Sequence, residues 1–177
     1  MSDRLVELRV ENLRLKKQVE NLEAKILNLV GNIEINSTGG PDSQNLINNE
    51  ILGIISKTTD QINVLTPKVD KFYANELIKL SQQGIAVLII TNDRSNIPDD
   101  FKEYFDQLKA AAGINVVTNP KVKYLLLFNT EEALYSGGSL VRKELEESIL
   151  IVTKIKESSK LRKITEIFSL LLPSFMR

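Results

Sequence analysis

The sequence predicts an α/β protein: an N-terminal parallel coiled-coil helix, then a mixed β-sheet flanked by helices. Three observations predict it. Residues 4–30 carry a heptad stripe, the run "IAVLIITN" at 85–92 is continuously apolar, and helical and strand periods alternate from residue 42 onward. A continuous short apolar run marks a strand buried on both faces, and strand–helix alternation builds a sheet with helices on its faces. The expected organisation is a dimerisation helix over 1–30, a linker over 31–41 and an α/β domain over 42–177.

The stripe places Leu8, Leu15, Leu22 and Leu29 at heptad position d, and Leu5, Asn12, Val19 and Ile26 at position a. Leu at d with β-branched residues at a favours a two-stranded parallel coil. A single Asn at a fixes register, because two such amides pair only across an in-register parallel dimer. Glu11 at g faces Lys16 at the following e position, an attractive pair, whereas Arg4 against Arg9 is not. Gly31 supplies the residue that ends the helix. A basic-zipper DNA reader needs a long basic helix before the zipper, but only three residues precede Arg4 here, and residues 1–30 hold six Lys/Arg against five Asp/Glu. The zipper itself is therefore no phosphate clamp.

The following segment, "NIEINSTGGPDSQ", centres on Gly39-Gly40-Pro41 and reads as a hinge or turn, with "IEI" a short strand or plain linker. Next comes a helix with Ile47, Ile51, Ile54 and Ile55 at helical spacing, capped by Asp42 or Ser43. "QINVLTP" is a strand ended by Pro67. A helix between Asp70 and Gly84 turns Ala74, Leu77 and Ile78 inward. Pro98, Asp99 and Asp100 open a helix closed by Gly113, the carboxylates suiting the positive end of its dipole. Phe101, Phe105, Leu108 and Ala112 line its inner face. "INVVT", "VKYLLLFN", "EALYSG" and "ESILIVT" are strands, the middle two joined at Thr130-Glu131. An amphipathic helix through Leu161, Ile164, Phe168 and Leu171 closes the chain.

Composition bounds the chemistry. The chain has 177 residues, zero formal net charge, and no His or Cys. Histidine is the usual general base and metal ligand, and thiol chemistry needs cysteine. No metal and no cofactor is expected. No apolar run reaches the roughly 18 residues that span a bilayer, and the charged start "MSDRLVELRV" has no signal-peptide core. A soluble cytoplasmic protein is the expectation.

The words "TP" at 66–67, "GIAVLIITN" at 84–92, "NPKV" at 119–122 and "ALYSGGSL" at 133–140 occur in order. Together they resemble one half of the phospholipase D-like fold over about residues 60–160. That family carries a His-x-Lys-x4-Asp motif before a Gly-Ser-x-Asn segment. Anchored on "ALYSG", its His falls on Val122, its Lys on Tyr124 and its Asp on Asn129, while Ser139 stands for the Asn. A one-residue shift gives Lys123, Leu125 and Thr130 instead. The family mechanism needs a His nucleophile and a His acid. The resemblance thus implies a kept scaffold with lost catalysis, a non-catalytic homodimeric interaction or regulatory protein with a protein partner yet to be identified.

A second resemblance is to archaeal sugar-responsive regulators of the TrmB type, carried by "LLLFNTEEALYSG" and the closing helix "SKLRKITEIFSLLLP" behind a coiled coil. It implies a nucleic-acid-binding or transcription-related factor, although no winged helix stands before the zipper. Lys121, Lys123, Arg142 and Lys143 are the candidate contacts to a phosphate or nucleic-acid backbone. Gly137-Gly138-Ser139 offers backbone N–H groups to an anion. Asp93 and Arg94 follow a parallel strand at the edge where such folds bind ligands. The acidic pairs Asp99-Asp100 and Glu131-Glu132 are expected to be solvated.

Overall fold

The computed structural model describes residues 2–40, 43 and 45–176, leaving aside the side chains of residues 2, 3, 5, 6 and 27–31. The heptad segment is one helix, α1 (Ser2–Gly31). Leu8, Asn12, Leu15, Val19, Leu22 and Ile26 are exposed along it. Leu5 and Leu29 belong to the same helix, and their side chains lie outside the described residues.

After Asn32 the chain enters strand β1 (Ile33–Ser37), so the segment expected to be a linker contributes to the sheet. β1 pairs antiparallel with β7 (Ile151–Ile155), Ile33 opposite Ile155 and Ser37 opposite Ile151. Thr38 fastens this edge. It is buried, its N–H donates to Leu150 O at 2.9 Å, its hydroxyl donates to Ser148 O at 2.7 Å, and its Oγ1 accepts from the Leu150 N–H at 2.8 Å. The expected hinge is also tied, since the N–H groups of Gly39 and Gly40 both donate to Ser43 Oγ, at 2.9 and 2.8 Å. Gly39 has φ +106°, and a Cβ there would come within 3.1 Å of Ile149. Only glycine fits that approach. Pro41 and Asp42 lie outside the described residues.

Helix α2 (Leu46–Lys57) starts at Asn45 without a side-chain cap, because Ser43 spends its hydroxyl on the Gly39–Gly40 turn. Strand β2 (Gln61–Leu65) leads to helix α3 (Lys71–Gln82), where Asp70 caps the Tyr73 N–H at 2.9 Å and Gly84, at φ +87°, turns the chain out. Strand β3 (Ala86–Thr91), helix α4 (Asp99–Ala110) and strand β4 (Ile114–Thr118) follow. Ala112 is exposed rather than inward, for it lies beyond the end of α4. Strands β5 (Leu125–Phe128) and β6 (Ala133–Ser136) form a hairpin. Helix α5 (Arg142–Glu147), which no apolar period announces, separates β6 from β7, and α6 (Ser158–Leu170) is followed by a short 3-10 turn over Ser174–Met176.

The sheet has seven strands in the order β1-β7-β6-β5-β2-β3-β4. β2, β3 and β4 are parallel, and the remaining pairings are antiparallel. One face packs on α2 and α3, with Ile51, Ile54, Tyr73 and Leu77 against Ile62, Val64, Ile89 and Leu127. The other face packs on α6, with Leu161 and Phe168 against Leu65, Ile90, Leu126 and Phe128. This double covering explains the unbroken apolar reading of β3. Among the described residues no helix is long and apolar enough to cross a membrane.

Candidate functional site

The strand directions bring the ends of β2, β3, β4 and β6 and the start of β5 to one edge of the sheet. Ligands of open α/β sheets bind at such an edge. Thr66, fully buried, organises it: its hydroxyl donates to Lys68 O at 2.9 Å and its Oγ1 accepts from the Leu140 N–H at 2.8 Å. The segment after β6 is thereby tied to the end of β2, and the Asp70 N–H donates to Leu140 O at 3.0 Å. Gly138, at φ +82°, makes the turn between them. Lys68 reaches Glu144 on α5 and lies 4.7 Å above the Phe101 ring. Two polar atoms at this end, Asn92 Oδ1 and Ser136 Oγ, are buried and make no hydrogen bond among the described residues. Ser139, in the turn that follows Ser136, is buried as well.

The positions aligned with the phospholipase D motif take on structural duties. Val122 is buried under α6. Tyr124 is half-buried and packs against Tyr135, ring centroids 5.4 Å apart. Asn129 sits at the opposite end of β5, away from the edge just described. Its N–H donates to Glu132 O at 3.0 Å, its Oδ1 accepts from the Glu131 and Glu132 N–H groups at 2.9 Å each, and its Nδ2 donates to Thr58 Oγ1 at 3.1 Å. An asparagine that bonds to the backbone two residues on is a turn former, and that was the legible signal in "FNTEEA". In the shifted frame Lys123 is exposed, Leu125 is fully buried and Thr130 is exposed in the turn.

The candidate cationic residues divide into two pairs. Lys121 and Lys123 flank Val122 and are exposed, with no acidic partner among the described residues. Arg142 opens α5 on the other side of the sheet. It lies 4.6 Å over the Phe72 ring and its Nε donates to Glu146 at 3.1 Å, while Lys143 pairs with Glu147 at 3.8 Å. No described contact joins the two pairs, and their own carboxylates largely neutralise the second. Arg94 forms a two-pronged pair with Asp106, both bonds at 2.8 Å, which raises the guanidinium pKa and lowers that of the carboxylate. No group of His, Cys, Asp and Glu that could hold a metal occurs among the described residues.

Glu132 departs from the expectation of a solvated pair. It is buried at the end of the sheet opposite Thr66, 3.4 Å from Lys154 and 3.6 Å from Lys57. Lys154 also reaches Glu50. Burial works against the Lys154 charge, yet Glu50 and Glu132 outweigh it and raise the ammonium pKa.

No protein-family model matches the chain, and no curated protein sequence matches it. Solved structures do. NucT from Helicobacter pylori superposes with a TM-score of 0.67 at 12% identity, over 78% of this chain and 95% of that one. Nuc from Salmonella typhimurium, a phospholipase D family member, gives 0.61 at 11% identity, over 77% and 91%. The chain has a phospholipase D-like fold. Its structure is similar as well to TrmBL2, an archaeal chromatin protein with a novel mode of DNA binding: TM-score 0.54, 14% identity, 92% of this chain and 62% of that one. Residues 32–177 alone do not make up that share of the chain, so the TrmBL2 match takes in part of α1.

These likenesses correct one expectation. The phospholipase D-like fold of this chain is shared with a protein of an enzyme family, so the scaffold gives no ground for reading the chain as a non-enzyme. The missing histidine removes histidine chemistry alone, and the hydroxyls, amide and lysine around Thr66 are untouched by that argument.

Proposed function

We propose that the protein is a homodimeric regulatory protein that binds nucleic acid, paired through α1 and contacting the phosphate backbone with Lys121 and Lys123. The observation that carries this reading is the likeness to TrmBL2, a DNA-binding chromatin protein, because it extends across the α1 boundary into the sheet domain. The exposed stripe from Leu8 to Ile26, with Asn12 within it, supports the pairing. Leu5 and Leu29 extend the stripe in sequence to both ends of the helix.

The formal net charge is zero, so any affinity for a polyanion comes from a local patch rather than from the whole field. Lys121 and Lys123 are the candidates left once Arg142 and Lys143 are assigned to Glu146 and Glu147. Pairing through α1 doubles the patch, which raises avidity without new contacts. The test is a gel-shift series with the full chain and duplex DNA at rising salt. A shift at low salt that fades steeply supports the reading, since phosphate contacts release counterions. No shift at low salt contradicts it.

A further inference from the structure

We propose that the sheet face left bare by α6, centred on Ile35, Tyr135 and Ile151, is the surface on which two copies of this chain close against each other. The inference deepens the reading of α1 as a parallel dimerisation helix and rests on it.

The strand register places the three residues together. Ile35 stands opposite Thr153, and Thr153 opposite Tyr135, in one row across β1, β7 and β6. Ile151 lies two residues along β7 on the same face. This is the α6 face, because Ile155 and Ala133, which share its alternation, pack in the α6 core. Helix α6 covers only part of it. Ile35 is 70% exposed, Ile151 66% and Tyr135 45%. Ile35 and Tyr135 flank Thr153 with Ile151 next along β7, and a cluster open to this degree is the kind of patch that marks a docking surface.

The connection to α1 identifies the occupant. Only Asn32 separates α1 from β1. That residue is anchored, for its carbonyl accepts from the Lys156 N–H at 2.7 Å, so the helix leaves the sheet edge from a fixed point. Paired helices lie about 8–10 Å apart, and sheets packed face to face lie about 10 Å apart. A second copy joined through α1 therefore has its own β1 delivered at sheet-packing distance from this one. The two faces of β1 differ in what they can bury there. Glu34 and Asn36 point to the far face, where Glu34 pairs with Lys156 at 3.7 Å, and Ile35 points to the α6 face. Burying the isoleucine face is favourable, whereas burying the Glu34 face removes a charge from water.

The chain has no cysteine, so an introduced one is unique. The experiment treats the full-length Ile151→Cys protein with a short bis-maleimide, beside Glu103→Cys, whose site is exposed on α4 behind the opposite face. Light scattering of both proteins reports the oligomeric state independently. The expected result is a dimer in both cases, with covalent dimer formed from Cys at 151 and absent from Cys at 103. Adding Ile35→Asp to Ile151→Cys should abolish that cross-link while the protein stays dimeric. A dimer in which position 151 cross-links no better than position 103 overturns the closed face, leaves the α1 reading standing and frees the patch for a different partner. A monomeric full-length protein overturns the α1 reading and the closed face together.

Discussion

The ring of Tyr124 rests against that of Tyr135, centroids 5.4 Å apart and planes inclined at 57°. The pair joins the residue just before β5 to the α6 face of β6. Aromatic pairs of this kind add about 0.5–1.5 kcal/mol beyond the area they bury. Tyr124→Ala and Tyr135→Ala, measured singly and together by urea unfolding, should show a coupling of about 1 kcal/mol. Additive losses would mean that the rings only touch.

Pairing through α1 predicts a dimer at full length and a shift toward monomer in a chain beginning at Asn32. A later start would strip β1 and bare the β7 edge, confusing dimer loss with damage to the sheet. Asn12→Ile should raise the melting temperature while admitting other oligomers, because an apolar a position packs better and specifies less. Multi-angle light scattering checks both outcomes, and Leu15→Asp should release monomer.

The Glu132–Lys154 pair predicts an asymmetric mutational response. Glu132 is 5% exposed at its side chain and Lys154 12%, 3.4 Å apart. Lys154→Met leaves the carboxylate with only the solvated Lys57, and should cost about 2–3 kcal/mol, somewhat less than loss from a fully dry pair. Pairing that change with Glu132→Leu should recover most of the loss, since the buried charge goes with its partner. A double variant as unstable as Lys154→Met would locate the cost in packing.

Tyr73 and Lys154 both bear on stability at alkaline pH. Burial pushes the Tyr73 phenol well above its ordinary 10.0, helped by the Asp70 and Glu146 charges and opposed by Arg142. Lys154 is likewise raised above 10.5. Both hold their proton longer when folded, so their contributions are complete below the unfolded values and fade as pH rises through the folded ones. Thermal stability should therefore fall above about pH 10, where the unfolded chain begins to release protons that the fold retains. Tyr73→Phe should flatten the fall. It should also lower stability near neutrality by about 1–3 kcal/mol, because Asn48 Oδ1 loses the hydroxyl that donates to it.

What could be read from the sequence follows from where the signals are local. The helix over the heptad segment, the β3 run, the Asp70 cap and the Gly84 exit are written within a few residues of the features they cause, and these four are present. β1 was ambiguous because its five residues pair with a strand more than a hundred positions away, and Thr38, which secures it, looks like any loop threonine. Helix α5 is a single short stretch, "RKELEE", whose one buried residue is Leu145, too little for a period to register. At the edge where β2 and β6 end, "TP" and "SGGSL" stand in the sequence. The bond from the Leu140 N–H to Thr66 Oγ1 and the buried Ser136 and Asn92 atoms depend on pairing among distant strands. In sequence Glu131 and Glu132 read alike as solvated turn carboxylates; only the burial of the turn against Thr58 and Lys154 separates the two.

The central claim, binding to nucleic acid through a doubled patch of Lys121 and Lys123, is tested most directly by the salt dependence of affinity. Fluorescence anisotropy of a labelled duplex would be followed with the full chain and with the Lys121→Ala/Lys123→Ala variant across a salt series. Each phosphate neutralised contributes about 0.9 to the slope of log affinity against log salt, so a dimer losing four lysines should lose about 3–4 from the slope. The account predicts measurable binding at low salt, a steep decline, and that flattening in the variant. Binding absent at low salt, or a slope unchanged by removing both lysines, would contradict it.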